Sequence, residues 1–485
     1  LADGSSHGVA QRRQASGGDL KMRRKQWLRI AAVFAVLALV AAGCGDDDDG
    51  GTGGAAGGSG GDDDAEPSGL LADDGPCDTS LDPYPVGITT VFESPVLSLV
   101  DQVTALEASV DAFNSRGGIG GHCMDLTTCD SGADPNKEVD CARQFVDDGV
   151  VATLNDTTSF NPQGVIDVLE PAGLPRIGIS PAVEELSSPV TYAIGAGGTG
   201  TTFMMLPPLL RAGMKKIAVI HVDTPTIAAL FSAMQPMLDA SGAELVAKIP
   251  VPAGTTDFQQ FILAAEDAGA EGVMLPLGEN EAVQVLQAAQ QLGSELTYSA
   301  SLGTFGQADV QEFGDFADQL VLNAELPPVT GDQERWPILA DVIADLSASG
   351  EPELQGDQIK SSPFRSWVAV YSLVKIIEDF GDPDDISREA ITAAFDAATD
   401  VDHFNLIPPW TPSASVAGPG PFSRVSQPWY YEVTFDTDTG EFVVADDLMN
   451  VVLELGGQTD YEQPPASSSA GEPAAEEETT TTTTG

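Results

Sequence analysis

The chain has 485 residues, 42% of them apolar, and its 74 acidic against 21 basic side chains give a formal charge of −53. A single hydrophobic core stops growing near roughly 250–300 residues, so this length predicts two lobes with flanking segments. A field of that sign repels phosphate, which argues against nucleic acid and anionic lipid surfaces as partners. Some of the acid is concentrated in "GDDDD" (residues 45–49) and "EPAAEEE" (residues 472–478), and the rest reads as a strongly solvated surface.

Residues 1–21 are polar and without pattern, and Met22 reads as the natural start. From there "MRRKQWLR" leads into the uncharged run "IAAVFAVLALVAAG" and then Cys44. A basic segment, a short apolar segment and small residues before a cysteine describe an export signal, too short and one-sided for a membrane span. "VAAGC" resembles the bacterial lipobox, which implies that residues 1–43 are an upstream extension and signal peptide. The mature chain then begins at a lipidated Cys44 on the outer face of the cytoplasmic membrane. Two acyl chains give a stable anchor where one does not. Residues 44–75 form a Gly/Asp-rich linker, whose flexible length corresponds to on the order of 30 Å root mean square.

Beyond Cys44 the cysteines are Cys77, Cys123, Cys129 and Cys141, an even set in an exported chain, which reads as two disulfides with three possible pairings. None has zinc-ligand spacing, and His7, His122, His221 and His403 are scattered, so no metal site is expected.

From residue 76 to 455, strand-like and helix-like segments alternate. "PVGITTVF" (residues 85–92) precedes a helical stretch with Val96, Val100, Val103, Leu106, Val110 and Phe113 on one face. "MDLTTC", the helical "PNKEVDCARQFVDDG", "VVATL", "PQGVIDVLEPAG", "PRIGI" and "VTYAI" continue the alternation, and it restarts at "KKIAVIHV" (residues 215–222) and runs to "QLVLNAEL". Strand-helix repeats of this kind predict α/β architecture, two doubly wound parallel-sheet lobes in series. After Pro327 the pattern turns helical, with Phe364, Trp367, Tyr371 and Val374 as a core stripe, and "WYYEVTFDTDTGEFVV" closes the chain as a hairpin turning at residues 437–440. The expected organisation is a first lobe from 76–196 and 328–425, and a second lobe from 197–327 joined by the hairpin 426–455. A low-complexity tail then fills 456–485.

Two glycine-rich runs invite a phosphate-binding reading. "GGIGG" (residues 117–121) follows a helix and precedes a strand, the reverse of the order a phosphate turn needs, so it reads as a helix C-cap and re-entry turn. "GAGGTG" (residues 195–200) follows a strand and fits a dinucleotide fingerprint, with Asp223 ending the next strand. Pro207 and Pro208 interrupt the helix that such a site requires. An NAD-binding enzyme is therefore the weaker alternative, and no other catalytic constellation stands out.

"FNSRGGIGG" followed by "CDSGADPNKEVDCARQFVDDGVVATL", "AGLPRIGISP" and "AGMKKIAVIHVDT" resembles the leucine/isoleucine/valine-binding family, the type I periplasmic substrate-binding proteins of ABC transporters. The resemblance covers most of residues 85–377. It implies two lobes joined by a hinge near residues 195–200 and 326–329 with a third crossing towards the C-terminus. It also implies a monomer without cofactor that captures a small molecule by closure and delivers it to a membrane permease, or uses the same lobes to signal as a receptor. For the disulfides, Cys77–Cys123 and Cys129–Cys141 are preferred: the first pair flanks the amino ends of adjacent strands, and the second pins a strand end to its following helix.

Ligands of open α/β sheets sit at the carboxyl ends of strands. Those ends carry Ser94 ("FES"), Asp156, Thr157 and Thr158 ("NDTTS") and Ser180 ("ISP") in the first lobe, and Asp223 ("VDT"), Glu279 ("GEN") and "SLGT" in the second. Short hydroxyls beside free amides suit a carboxylate or amide, and each such residue also has a local role as a helix cap. The resemblance implies that the loops holding Asp156, Thr157, Thr158 and Ser180 take the ligand's α-carboxylate and amino group. The second lobe departs from the family's pattern, since Gly278 stands near the expected aromatic hydroxyl and "SASLGTF" lacks the acid, for which Glu279 or Asp223 substitutes. An amino-acid-like compound, an amide or a short acid is the expected ligand.

Overall fold

The computed structural model describes residues 68–92, 94, 98–179, 181–222, 230–252, 254–414 and 425–466. The export signal, Cys44, Ser180, Asp223 and the side chain of Glu279 lie outside the described residues.

Two sheets organise the chain. The first has the order β2-β1-β3-β4-β5, built from β1 (Tyr84–Thr90), β2 (Met124–Asp130), β3 (Ala152–Leu154), β4 (Arg176–Ile177) and β5 (Thr191–Tyr192). Every pairing in it is parallel. In the second, β6 (Lys216–Val222), β7 (Glu244–Val251), β8 (Gly272–Met274), β9 (Thr297–Ser301) and β10 (Leu320–Ala324) are also parallel. β11 (Trp429–Asp436) and β12 (Glu441–Val444) extend it antiparallel, and β13 (Met449–Asn450) pairs with β11. This is the two-lobed, doubly wound α/β architecture that the alternation predicts. The hairpin turns at residues 437–440, where the Asp436 carboxylate accepts from the amides of Asp438 and Thr439.

Helices cover the sheets because their apolar faces need a partner. In the first lobe these are α1 (Val100–Ser115), α2 (Pro135–Asp147) and α3 (Pro162–Leu169). Asp134 caps α2, with Pro135 at the first position, and Asn161 caps α3 in the same way. In the second lobe α4 (Gly197–Phe203), α5 (Leu206–Arg211), α6 (Gln235–Ser241), α7 (Gln259–Asp267), α8 (Glu279–Leu292) and α9 (Gln307–Gln311) follow in order. The chain then returns to the first lobe through α10 (Leu339–Ser347), α11 (Ser361–Phe380) and α12 (Arg388–Ala397), before β11 and α13 (Val451–Leu455).

The stripe expected on α11 is buried, with Phe364, Trp367, Tyr371 and Val374 all inside and Trp367 stacked on Tyr371 at 5.6 Å. The α1 face is buried from Val103 to Phe113. Val100, as the first residue of the helix, is 48% exposed, contrary to the periodicity, and Val96 lies outside the described residues.

The run at 117–121 is the expected C-cap. The amide of Gly118 returns to the carbonyl of Phe113 at 2.9 Å, and Gly117, Gly118, Gly120 and Gly121 all have positive φ. A Cβ on Gly118 would lie 2.0 Å from the His122 carbonyl oxygen, so only glycine fits. Disulfides join Cys77 to Cys123 and Cys129 to Cys141, the preferred pairing.

Described structure reaches into both segments whose composition reads as linker or tail. Ser68 hydrogen-bonds the Asp341 carboxylate and Asp74 donates its amide to Arg116, so residues 68–75 lie on the first lobe. At the other end Gln463 pairs both ways with the backbone of Leu448, and the Tyr461 hydroxyl joins Arg211, Glu454 and the amide of Asn450. One aromatic and one amide side chain anchor a stretch whose average composition is that of a loop.

Candidate functional site

The carboxyl tips of the first sheet converge on the loop after β3. Asn155 has φ of +49°, which turns the chain sharply out of the strand. Its side-chain amide donates to the Ser362 carbonyl and the Ser366 hydroxyl on α11, at 3.1 and 2.9 Å. Gln102, buried on α1, donates to the Asn155 carbonyl, accepts from the Thr90 hydroxyl and exchanges hydrogen bonds with Thr157. The loop is thus fastened from two helices.

Asp156 and Thr158 point inward. The Asp156 carboxylate accepts from the Thr89 amide at 2.7 Å, from the Thr153 hydroxyl and from Nε of Arg176 at 3.2 Å. Thr158 accepts from Arg176 at 2.9 Å and donates to Glu185, which also binds the Arg176 guanidinium and the Ala182 amide. Arg176 is fully buried, as are Asp156 and Glu185 to within 2%. Burial opposes the charge on Arg176, but Glu185 and Asp156 beside it prevail and raise its pKa. Burial pushes the Asp156 carboxyl up, against the pull of Arg176. Glu138, raised by burial, caps the same loop by accepting the amides of Phe160 and Asn161.

Thr157 is half-buried between these anchored neighbours, and its amide donates to Thr89 at 2.9 Å. Ser94 is half-buried beyond β1. On the second sheet, Gly278 caps α8 with extended backbone, bringing no side chain where the family pattern has an aromatic hydroxyl. Ser301 accepts from the amide of Gly303 at the tip of β9.

Three segments cross between the lobes and meet at one carboxylate, Glu325, 5% exposed at the end of β10. It accepts from the Tyr430 hydroxyl at 3.0 Å and from Arg365 of α11 at 2.5 Å, and the Tyr430 oxygen accepts the amide of Ala196 at 3.2 Å. Burial, and then the charge of Glu325, hold the Tyr430 hydroxyl protonated well above the ordinary phenol range.

The same geometry accounts for "GAGGTG". A Cβ on Gly195 would lie 2.2 Å from Glu325 Oε1, one on Gly197 would lie 1.9 Å from the Pro181 carbonyl oxygen, and one on Gly200 would lie 2.7 Å from the Tyr430 hydroxyl. These glycines admit protein oxygens, two of them acceptors, into the space that a pyrophosphate would need, and α4 ends before Pro207. Sequence reasoning missed Gln102, Arg176, Glu185, Glu325, Arg365 and Tyr430. Arg176 had a signal, a charge inside the apolar strand "PRIGI".

Two wound sheets of parallel strands, the second extended by an antiparallel hairpin, with the chain passing between them more than once, are the architecture of the type I periplasmic binding fold. The profile of the periplasmic binding protein family matches residues 83–430, and the chain belongs to that family. It is 28% identical over 193 residues to Leu/Ile/Val-binding protein homolog 3 of Brucella melitensis, covering 39% of this chain and 52% of that protein. It is 25% identical over 231 residues to the Leu/Ile/Val-binding protein of Escherichia coli K12, covering 46% and 62%. The chain thus matches between about half and three fifths of the length of these relatives. Among solved structures, a fatty acid ABC transporter substrate-binding protein from Thermomonospora curvata superposes with a TM-score of 0.64 at 17% identity, covering 83% of this chain and 99% of that one. An ABC transporter solute-binding protein from R. palustris in complex with 4-hydroxybenzoate gives 0.60 at 17% identity, covering 76% and 97%.

Proposed function

We propose that the protein is an extracytoplasmic solute-binding protein, lipid-anchored through Cys44, that captures a small polar metabolite between its lobes and delivers it to an ABC permease. The observation that carries this reading is the meeting of the segments that link the lobes at Glu325, since a single shared node lets two rigid lobes rotate as bodies. A ligand touching both lobes binds the closed arrangement better and shifts the population towards it. The permease then reads the closed shape.

In the first lobe the ligand meets the backbone amides of the loop after β3, Thr157 and Ser180, with Ser94 at the flank. Asp156 and Thr158 act from beneath, because their side-chain bonds go to Arg176, Thr89, Thr153 and Glu185. In the second lobe Asp223, Glu279 and the amides at the start of α8 are the groups assigned to it. The matched relatives are named for branched-chain amino acids, and the superposed structures for a fatty acid and 4-hydroxybenzoate. A carboxylate is the chemistry these share, and donor-rich, short-side-chain loops suit it. A thermal-shift screen of amino acids, their amides and short aliphatic or aromatic acids tests the reading. Binding stabilises by RT ln(1 + [L]/Kd), about 2.7 kcal/mol at a hundredfold excess over Kd. No stabilisation by any of these classes would contradict it.

A further inference from the structure

Arg176 touches both neighbouring tip loops of the first sheet. Its Nε binds Asp156 in the loop after β3, a terminal nitrogen binds Thr158 in that same loop, and the other binds Glu185 in the loop after β4. Each acid in turn holds backbone, Asp156 through the amide of Thr89 and Glu185 through the amide of Ala182, at 2.7 and 2.6 Å. All four side chains are at most 4% exposed. A planar guanidinium with donors in a rigid fork sets both the separation and the orientation of the groups it bridges, which a point charge does not.

We propose that Arg176 is the positioning residue of the first-lobe half-site, fixing the loops at residues 155–161 and 181–188 relative to each other and so setting ligand affinity without touching the ligand. The coupling of the loops follows from the geometry alone; its consequence for affinity rests on the solute-binding reading.

Hydrogen exchange on the full chain separates the two. In Arg176→Met, peptides covering residues 155–161 and 181–188 are expected to exchange at least tenfold faster, with Met124–Asp130 and Lys216–Val222 unchanged. Arg176→Lys, which keeps the charge but loses the fork, restores protection in part. A merely structural role would raise exchange in β2 along with the loops, and that result, or unchanged loops, overturns the proposal. Should Arg176→Met fail to fold, Arg176→Met with Asp156→Asn and Glu185→Gln removes the buried charges together and carries the same expectation. Titration with L-leucine and with 4-hydroxybenzoate supplies the second readout. For a probe that the wild type binds, affinity falls at least tenfold in the variant with loosened loops, and undiminished affinity there overturns the proposal. Binding of neither probe by the wild type counts against the ligand class, and the exchange result still decides the loop coupling.

Discussion

Gly195→Ala against Gly198→Ala is a sharp pair, because the two glycines stand three residues apart in one run and the structure gives them opposite environments. Gly195 has φ of +102°, and an added Cβ would lie 2.2 Å from Glu325 Oε1 and 2.4 Å from its carboxyl carbon. Holding alanine at such a φ costs about 1–3 kcal/mol. Relief of the clash moves the Glu325 carboxylate away from Tyr430 and Arg365, and losing one partner of a buried pair costs about 3–5 kcal/mol. The carboxylate shifts rather than disappears, so the lower end of that range applies and the sum comes to about 4–6 kcal/mol. Gly198 lies in α4, is exposed, and has nothing within 4 Å of the Cβ position. Alanine there is expected to be neutral or to stabilise by up to about 1 kcal/mol. Equilibrium urea denaturation followed by tryptophan fluorescence and far-UV circular dichroism measures both. Equal effects at the two positions would refute the argument that Glu325 fills the space at the first crossing.

His403 is fully buried, with its ring bonded to Ser372 at 2.8 Å, and burial lowers its pKa from 6.5 to about 4. Its folded pKa lies below the unfolded one, so the unfolded chain binds the proton first and stability is lost as pH falls from about 6.5 to 4. The loss is about 3 kcal/mol. The difference in stability between the wild type and His403→Asn should follow that curve and be flat above pH 7.5; a flat difference throughout refutes the assignment. Replacing Cys77 and Cys123 by serine frees a loop of sequence separation 46 and replacing Cys129 and Cys141 one of 12, so losses of about 4 and 3 kcal/mol are expected, as upper values. Denaturation of each double variant checks the order. Thr157→Ala should weaken binding of the metabolite at least tenfold with stability changed by less than about 1 kcal/mol, whereas Thr158→Ala should lower stability by about 1–3 kcal/mol through the partners it leaves.

Features decided by near neighbours were legible in the sequence. The C-cap at Gly118 follows from glycines crowded after an amphipathic helix, and α11 from the spacing of Phe364, Trp367, Tyr371 and Val374. The order of strands and helices was enough to give two wound sheets, although β4 and β5 are only two residues long. What pairs across distance was not legible. Glu325 meets Arg365 and Tyr430 over separations of 40 and 105 residues, and "NAEL" by itself says nothing of either. Asp156 carries the residue type expected of a binding loop, yet its carboxylate turns inward because Arg176 stands at the adjacent strand start. Pattern gives a residue's chemistry and its place at a strand tip; the direction of its side chain depends on which neighbours the fold supplies.

A bound ligand is expected to draw the two lobes together. Small-angle X-ray scattering on the chain, with and without the compound that gives the largest thermal shift, tests it most directly. A fall in the radius of gyration at saturating ligand, diminished in Gly195→Ala, is the predicted result. Tight binding with superimposable scattering curves would contradict closure as the mechanism.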